Sequence, residues 1–224
     1  LLDHRRNQRR VSIGVTHTTE SNILVNVIAQ YCNLHEGIKI NIISDDINIL
    51  YSKLKSFMID MAFVEGRITD SGLSTVLLDT DSLILAVSPR HPFARRGSIS
   101  IFELQQEKLI MRLPDSGTRR LFESHLMSKN LCIDDFNVIL EIDNIATIKD
   151  LVRKNLGVSI LGKSACQDEL NKGKLVALPI EDLSMIREIN MVYLKDFTQK
   201  SFLNDIVRLY NEESHQILRS RSLE

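Results

Sequence analysis

MRLPDSGTRRLFE, residues 111–123, joins an apolar strand end through a Pro/Asp/Ser/Gly turn to the opening of an amphipathic helix. It has a counterpart near the start of the chain. There the strand Val11 to Val15 passes through Thr16-His17-Thr18-Thr19-Glu20-Ser21 into the helical spacing Ile23, Leu24, Val27, Ile28, Tyr31. A helix start leaves backbone N–H groups unpaired and carries partial positive charge, so both places suit a small anion. Two such ends, far apart in sequence, predict a cleft with one hydroxyl-rich helix start on each wall.

Strand and helix patterns alternate outward from these turns. Val11 to Val15, a helix over about Ile23 to Asn33, the β-branched strand Ile38 to Ile43, the helical spacing Ile47, Leu50, Leu54, Phe57 and the buried run Met61 to Val64 read as βαβαβ. That order belongs to a parallel sheet covered by helices on both faces. Thr75 to Leu78 and Leu83 to Ser88 read as two more strands, and the prolines of Ser88-Pro89-Arg90-His91-Pro92 mark a lobe boundary.

The alternation then restarts. A helical turn Ile101 to Leu104, a strand Leu109 to Met111, a helix over about Thr118 to Lys129 and a strand Phe136 to Ile142 come in order. A helix over about Ala146 to Lys154, capped by Asp143 or Asn144, precedes Gly157 and the apolar run Val158 to Leu161. Lys174 to Pro179 adds a strand, Arg187 to Leu194 alternates strongly, and a terminal helix places Phe202, Ile206 and Leu209 on one face. The fold class is α/β.

The bulk properties narrow the function. With 224 residues, 43% hydrophobic and 25% charged, the chain can bury one core or two modest ones. A net charge of -1 argues against this chain wrapping nucleic acid, since phosphate binding relies on clustered Lys and Arg. The dense basic run is Arg5, Arg6, Arg9 and Arg10, read as a solvated tail or helix end. No apolar run approaches the roughly 18 residues of a membrane span. Cys32, Cys132 and Cys166 are odd in number and lack CxxC spacing. They read as reduced thiols of a cytosolic protein with neither disulfide nor metal site. No GxSxG, HExxH, Walker or GxGxxG motif appears, and the six histidines lack ligand spacing, so the chain reads as a receptor without cofactor rather than an enzyme.

Each candidate site has a plainer reading beside it. Thr16, Thr18, Thr19 and Ser21 supply four hydroxyls where a helix start needs one cap, and ligands of open α/β sheets sit beyond the carboxyl ends of strands. Thr18 and Thr19 would donate to an oxyanion, while His17 is a loop or supporting residue. Local capping alone is the other reading. Ser116, Gly117 and Thr118 repeat the arrangement, with Gly117 admitting close backbone approach. Arg112 and Arg119 are guanidinium donors to a carboxylate or sulfur oxyanion, or solvated surface charges. Glu65, at the end of Phe63-Val64-Glu65-Gly66, either faces an arginine such as Arg112 or Arg119 or holds a ligand ammonium; otherwise it is a surface carboxylate in a turn.

In order and spacing, Val11-Ser-Ile-Gly-Val15, Asp60-Met-Ala-Phe-Val64, Ser88-Pro-Arg-His-Pro-Phe93, Ser116-Gly-Thr-Arg119 and Ile148-Lys-Asp-Leu-Val-Arg-Lys-Asn-Leu-Gly-Val-Ser-Ile-Leu161 resemble the effector-binding domain of LysR-type transcriptional regulators. The match runs over about Val11 to Asn211, and the stretches 63–66 and 111–119 look most like the branch of sulfur-assimilation and carbon-fixation regulators. Thr16-His17-Thr18 is similar to the threonine segment with which a cysteine-biosynthesis regulator holds sulfate, but Glu65 replaces a hydroxyl there.

This resemblance implies a two-lobed, periplasmic-binding-protein-like (type II) fold with two crossover strands and a small anionic or zwitterionic effector in the inter-lobe cleft. Lobe I would span 11–88 plus 189–214 and lobe II 89–188. Residues 1–10 would be the remnant of a linker helix, and 215–224 a tail ending in a cloning scar at Leu223-Glu224. Thr16, Thr18 and Thr19 carry over as first-lobe contacts, and Ser116, Gly117 and Thr118 as second-lobe contacts. The family's winged helix-turn-helix is absent from this sequence, so promoter DNA would be met only through that missing domain. The resemblance further implies a cytoplasmic homodimer or tetramer, associating through first-lobe helix faces that include Ile28 and Tyr31, with no membrane partner. A transporter's solute-binding protein and a small hydrolase using His17 or His125 are the alternatives.

Overall fold

The computed structural model describes residues 9–20 and 23–221, with side chains as far as residue 215. In chain order the elements are β1 (Arg9–Val15), α1 (His17–Glu20), α2 (Leu24–Leu34), β2 (Ile38–Ser44), α3 (Ile47–Lys55), β3 (Met61–Glu65) and β4 (Leu73–Val87). There follow α4 (Ile101–Leu104), β5 (Leu109–Met111), α5 (Gly117–Ser128), β6 (Val138–Glu141), α6 (Ile145–Arg153) and β7 (Ser159–Gly162). The chain closes with α7 (Gln167–Asn171), β8 (Val176–Leu178), β9 (Ile186–Leu194) and α8 (Lys200–Arg221). These elements form two compact units. One ends at Asp79 and resumes at Glu188; the other is Thr80–Arg187, so β4 and β9 are the strands that carry the chain from one unit to the other.

In the first unit β1 pairs in parallel with β2 and β3, and β9 lies antiparallel to β3. The two-residue period of a strand then sorts the core. Met61 and Phe63 of β3, with Ile13 and Met191, pack beneath α2 and α8. Their neighbours Ala62, Val64 and Val192 pack on the other face against Leu50 and Leu54 of α3. Apolar residues at helical spacing thus cover both sides of the inner strands, which is why β3 reads as a continuous apolar run, while the edge strand β2 has no buried residue.

The second unit repeats the device. Leu83, Leu85 and Val87 of β4 join Leu109, Met111, Phe122 and Ile160 in one cluster, whereas Ile84 and Ala86 face Ile110, Ile148, Val152 and Leu161. β4 runs antiparallel to β7 and β8, and β5 runs parallel to β6. Gly157 is required here: a β-carbon on it would lie 2.8 Å from the Lys108 carbonyl oxygen, which accepts from Val158 N–H, while Ile110 N–H donates to the Val158 carbonyl along that seam.

Several expectations need correction. Thr75 to Leu78 and Leu83 to Ser88 are one strand, β4, not two. The polar Asp79-Thr80-Asp81 stretch reads as a turn, yet Asp81 is buried with its own partners, so extended backbone continues through it. The division between units falls inside β4 and β9, and the Ser88–Phe93 break lies within the second unit, where His91 N–H donates to the Ser88 carbonyl in a tight turn. Arg9 and Arg10 begin β1 rather than ending a helix, and residues 1–8 lie outside those described. Helix α8 continues past residue 214 to Arg221; Leu223 and Glu224 lie outside the described residues. Ile28 and Tyr31 are not an open association face. They are buried against α8, with the Tyr31 and Phe202 rings edge to face at 4.8 Å.

Candidate functional site

In the first unit the backbone leaves β1 at Val15 and turns at once into α1. Thr16 and Thr19 close that turn reciprocally: Thr16 N–H donates to Thr19 Oγ1 at 2.9 Å and Thr19 N–H to Thr16 Oγ1 at 3.3 Å. This is a capping box with threonine in the third helical position. Their hydroxyl protons are used internally as well. Thr16 Oγ1 donates to Glu65 Oε2 at 2.8 Å, and Thr19 Oγ1 donates to the Phe63 carbonyl at 2.9 Å. Thr18, also buried, differs from both. Among the described residues its hydroxyl forms no hydrogen bond. His17 is the first residue of α1 and half-buried; Ser21 lies outside the described residues, and α2 begins at Leu24 without a side-chain cap.

In the second unit Ser116 caps α5. Its backbone is extended and its Oγ accepts from Arg119 N–H at 3.2 Å. Thr118 Oγ1 accepts from Arg187 Nη1 at 3.2 Å. Both hydroxyls therefore act as acceptors toward the protein, and each keeps its proton to donate elsewhere. Between them Gly117 opens the helix, and a β-carbon there would meet nothing within 4 Å. The structure thus brings Ser116, Gly117 and Thr118 together on the first turn of a twelve-residue helix, with two free hydroxyl protons beside its positive end.

The arginines are committed differently. Arg119 donates through Nε to Glu123 at 2.7 Å and through Nη1 to Glu141 and to the Arg112 carbonyl. Arg112 pairs with Asp143 at 2.9 Å and keeps one buried N–H, at Nε, without a partner. Three carboxylates answer two guanidinium groups here, so this end of the second unit holds no surplus positive charge.

Two residues absent from the sequence reading anchor Thr118. Arg187 Nη2 donates to Asp81 Oδ2 at 2.9 Å, with side chains only 5% and 2% exposed, and Asp81 Oδ1 accepts from Ser164 N–H at 2.9 Å. For Arg187 the signal was a charge at the start of an alternating, largely apolar strand, which needs a partner to be buried; Asp81, between two expected strands, gave none. Glu141 and Asp143, which tie down the arginines, carry no comparable signal.

Among the described residues no group of three or more His, Cys, Asp or Glu is placed to hold a metal ion, and no helix is long and apolar enough to cross a membrane. The Cys166 thiol is pushed up to about 12 by burial, the opposite of what a reactive nucleophile requires.

Comparison with known proteins agrees with this architecture. An uncharacterized HTH-type transcriptional regulator of Methanocaldococcus jannaschii is 25% identical over 189 residues, 84% of this chain and 64% of that protein. A probable RuBisCO transcriptional regulator of Thalassiosira pseudonana is 25% identical over 187 residues, 81% of this chain and 61% of its own length. The chain thus spans less than two thirds of these relatives. The regulatory domain of Synechocystis CcmR, solved in complex with 2-PG, superposes with a TM-score of 0.79 at 20% identity, covering 90% of this chain and 97% of that one. The fold is that of LysR regulatory domains, the type II periplasmic-binding-protein-like α/β fold. The family model for the LysR substrate binding domain matches residues 4–214, and the chain belongs to that family.

Proposed function

We propose that this chain is the effector-sensing part of a LysR-type DNA-binding transcriptional regulator, and that it binds a small anionic or zwitterionic metabolite without transforming it. The observation that carries this reading is the polarity of the hydroxyls: Ser116 and Thr118 both accept from the protein and so hold out protons to a ligand acceptor, on a helix start that Gly117 leaves open. In this reading Thr18, Ser116, Gly117 and Thr118 touch the effector, together with the Arg112 guanidinium, whose Nε–H has no partner within the protein. Thr16, Thr19 and Arg119, engaged within their own units, position those contacts, and His17 and Glu65 flank the first-unit set. The CcmR regulatory domain, solved in complex with 2-PG, supports a small-molecule ligand.

In the whole protein a small effector would bias one arrangement of the two units, with a coupling of about 1 to 3 kcal/mol. Promoter DNA would be bound by a winged helix-turn-helix outside this chain, in a cytoplasmic homodimer or tetramer. The test is a thermal-shift screen against sulfur oxyanions, amino-acid precursors and dicarboxylates. A true effector at 100 times its Kd adds about 2.7 kcal/mol. The reading predicts at least one saturable stabiliser; none from any class would contradict it.

A further inference from the structure

Glu65 is half satisfied. Its Oε2 accepts the Thr16 hydroxyl at 2.8 Å, whereas Oε1 is buried and has no hydrogen-bond partner. Glu65 is partly buried, and a carboxylate oxygen withdrawn from water without a donor favours a cationic partner. Among the described residues no Lys, Arg or His pairs with it. The two arginines considered as partners, Arg112 and Arg119, are matched by Asp143 and by Glu123 and Glu141. On α3 a second polar group near Glu65 is in the same condition: the Tyr51 hydroxyl is buried without a partner, in the field of the Glu65 and Asp70 carboxylates.

The strand end that carries Glu65 is pinned. Gly66 has φ +92°, a conformation that favours glycine; its N–H donates to the Glu188 carbonyl at 2.8 Å and its carbonyl accepts from Asn190 Nδ2 at 2.9 Å. What remains is a carboxylate oxygen lacking a donor and a phenol lacking any hydrogen-bond partner. A neutral hydroxyl or amide would satisfy the hydrogen bond and leave the charge. A metal ion would need more oxygen ligands than this place offers. A primary ammonium supplies three donors and the missing charge in one group. We infer that Glu65, with Tyr51 beside it, receives a primary ammonium group of the effector. This rests on the effector reading above and narrows it from anionic or zwitterionic to amine-bearing, amino-acid-like molecules. The carboxylate of such a molecule suits hydroxyl and amide donors that carry no surplus positive charge.

Matched probes decide it: the common L-amino acids against the 2-hydroxy acids of the same carbon skeletons, screened by thermal shift and followed by calorimetry on wild type, Glu65→Gln and Tyr51→Phe. At least one amino acid should bind, its hydroxy counterpart at least about tenfold weaker, and Glu65→Gln should lose about tenfold for the amino acid alone. Tyr51→Phe should lose less, and unchanged unfolding midpoints of both unliganded variants show that folding is intact. Equal affinity for amino and hydroxy acids, or binding indifferent to Glu65→Gln, overturns the ammonium assignment and leaves the effector reading standing. If simple oxyanions bind and no amine does, the assignment fails in the same way. If no probe and no simple anion binds, both readings fall.

Discussion

Arg187 and Asp81 form an ion pair with a 2.9 Å N···O distance, buried just inside the second unit where the strands β4 and β9 enter it, and the same guanidinium donates to Thr118 on the first turn of α5. The pair therefore ties the connecting strands to the helix start offered as an anion site. Removing one partner strands the other charge in the core, so Arg187→Gln and Asp81→Asn should each cost about 3 to 5 kcal/mol in urea unfolding. The double variant should lose clearly less than their sum. Additive losses would mean that the two groups do not stabilise one another.

The three threonines of the first unit should separate cleanly. Thr19 bonds both within the capping box and to the Phe63 carbonyl, so Thr19→Val should cost about 1 to 3 kcal/mol of stability. Thr18→Val removes no bond within the described residues; it should change stability by less than about 0.5 kcal/mol yet weaken effector binding by about 1 to 2 kcal/mol. Chemical denaturation and calorimetry on both variants check the contrast.

Thiol chemistry reads burial directly. Cys132 is exposed, while Cys166 is buried and its thiol is pushed up to about 12. Under native conditions at neutral pH, iodoacetamide should label Cys132 well before Cys166, and Cys166 should react only when the chain unfolds. Peptide mass spectrometry over a labelling time course gives the order.

Tyr51 makes stability pH-dependent at the alkaline end. Burial first, then the Asp70 and Glu65 charges, raise its phenol from an ordinary 10.0 to about 12. Between those values the unfolded chain loses the proton that the folded chain retains, so stability falls as pH rises. Tyr51→Phe should match wild type below pH 10 and lose less stability between pH 10 and about 12. Parallel curves over that interval would exclude the contribution of Tyr51.

Period-two and period-3.6 patterning made most of the architecture legible, because each sheet face and helix stripe is filled by alternating apolar residues such as Met61, Ala62, Phe63 and Val64. The turn at Ser116 was legible for the same local reason: serine before glycine and a helical pattern is a cap. The continuity of β4 was not, since Asp81 resembles a turn residue until its partner, over a hundred residues away, is known. Nor could the sequence distinguish Thr18 from Thr16 and Thr19. Which hydroxyl is engaged depends on Glu65 and the Phe63 carbonyl, brought close only by the pairing of β1 with β3.

The most direct measurement is a crystal structure of this chain with the effector that the screen identifies. An acceptor oxygen of the ligand within hydrogen-bond distance of the Ser116 and Thr118 hydroxyls is the predicted result, with those hydroxyls still accepting from Arg119 N–H and Arg187. A specifically bound effector lying elsewhere, with both hydroxyls turned to solvent, would contradict the account.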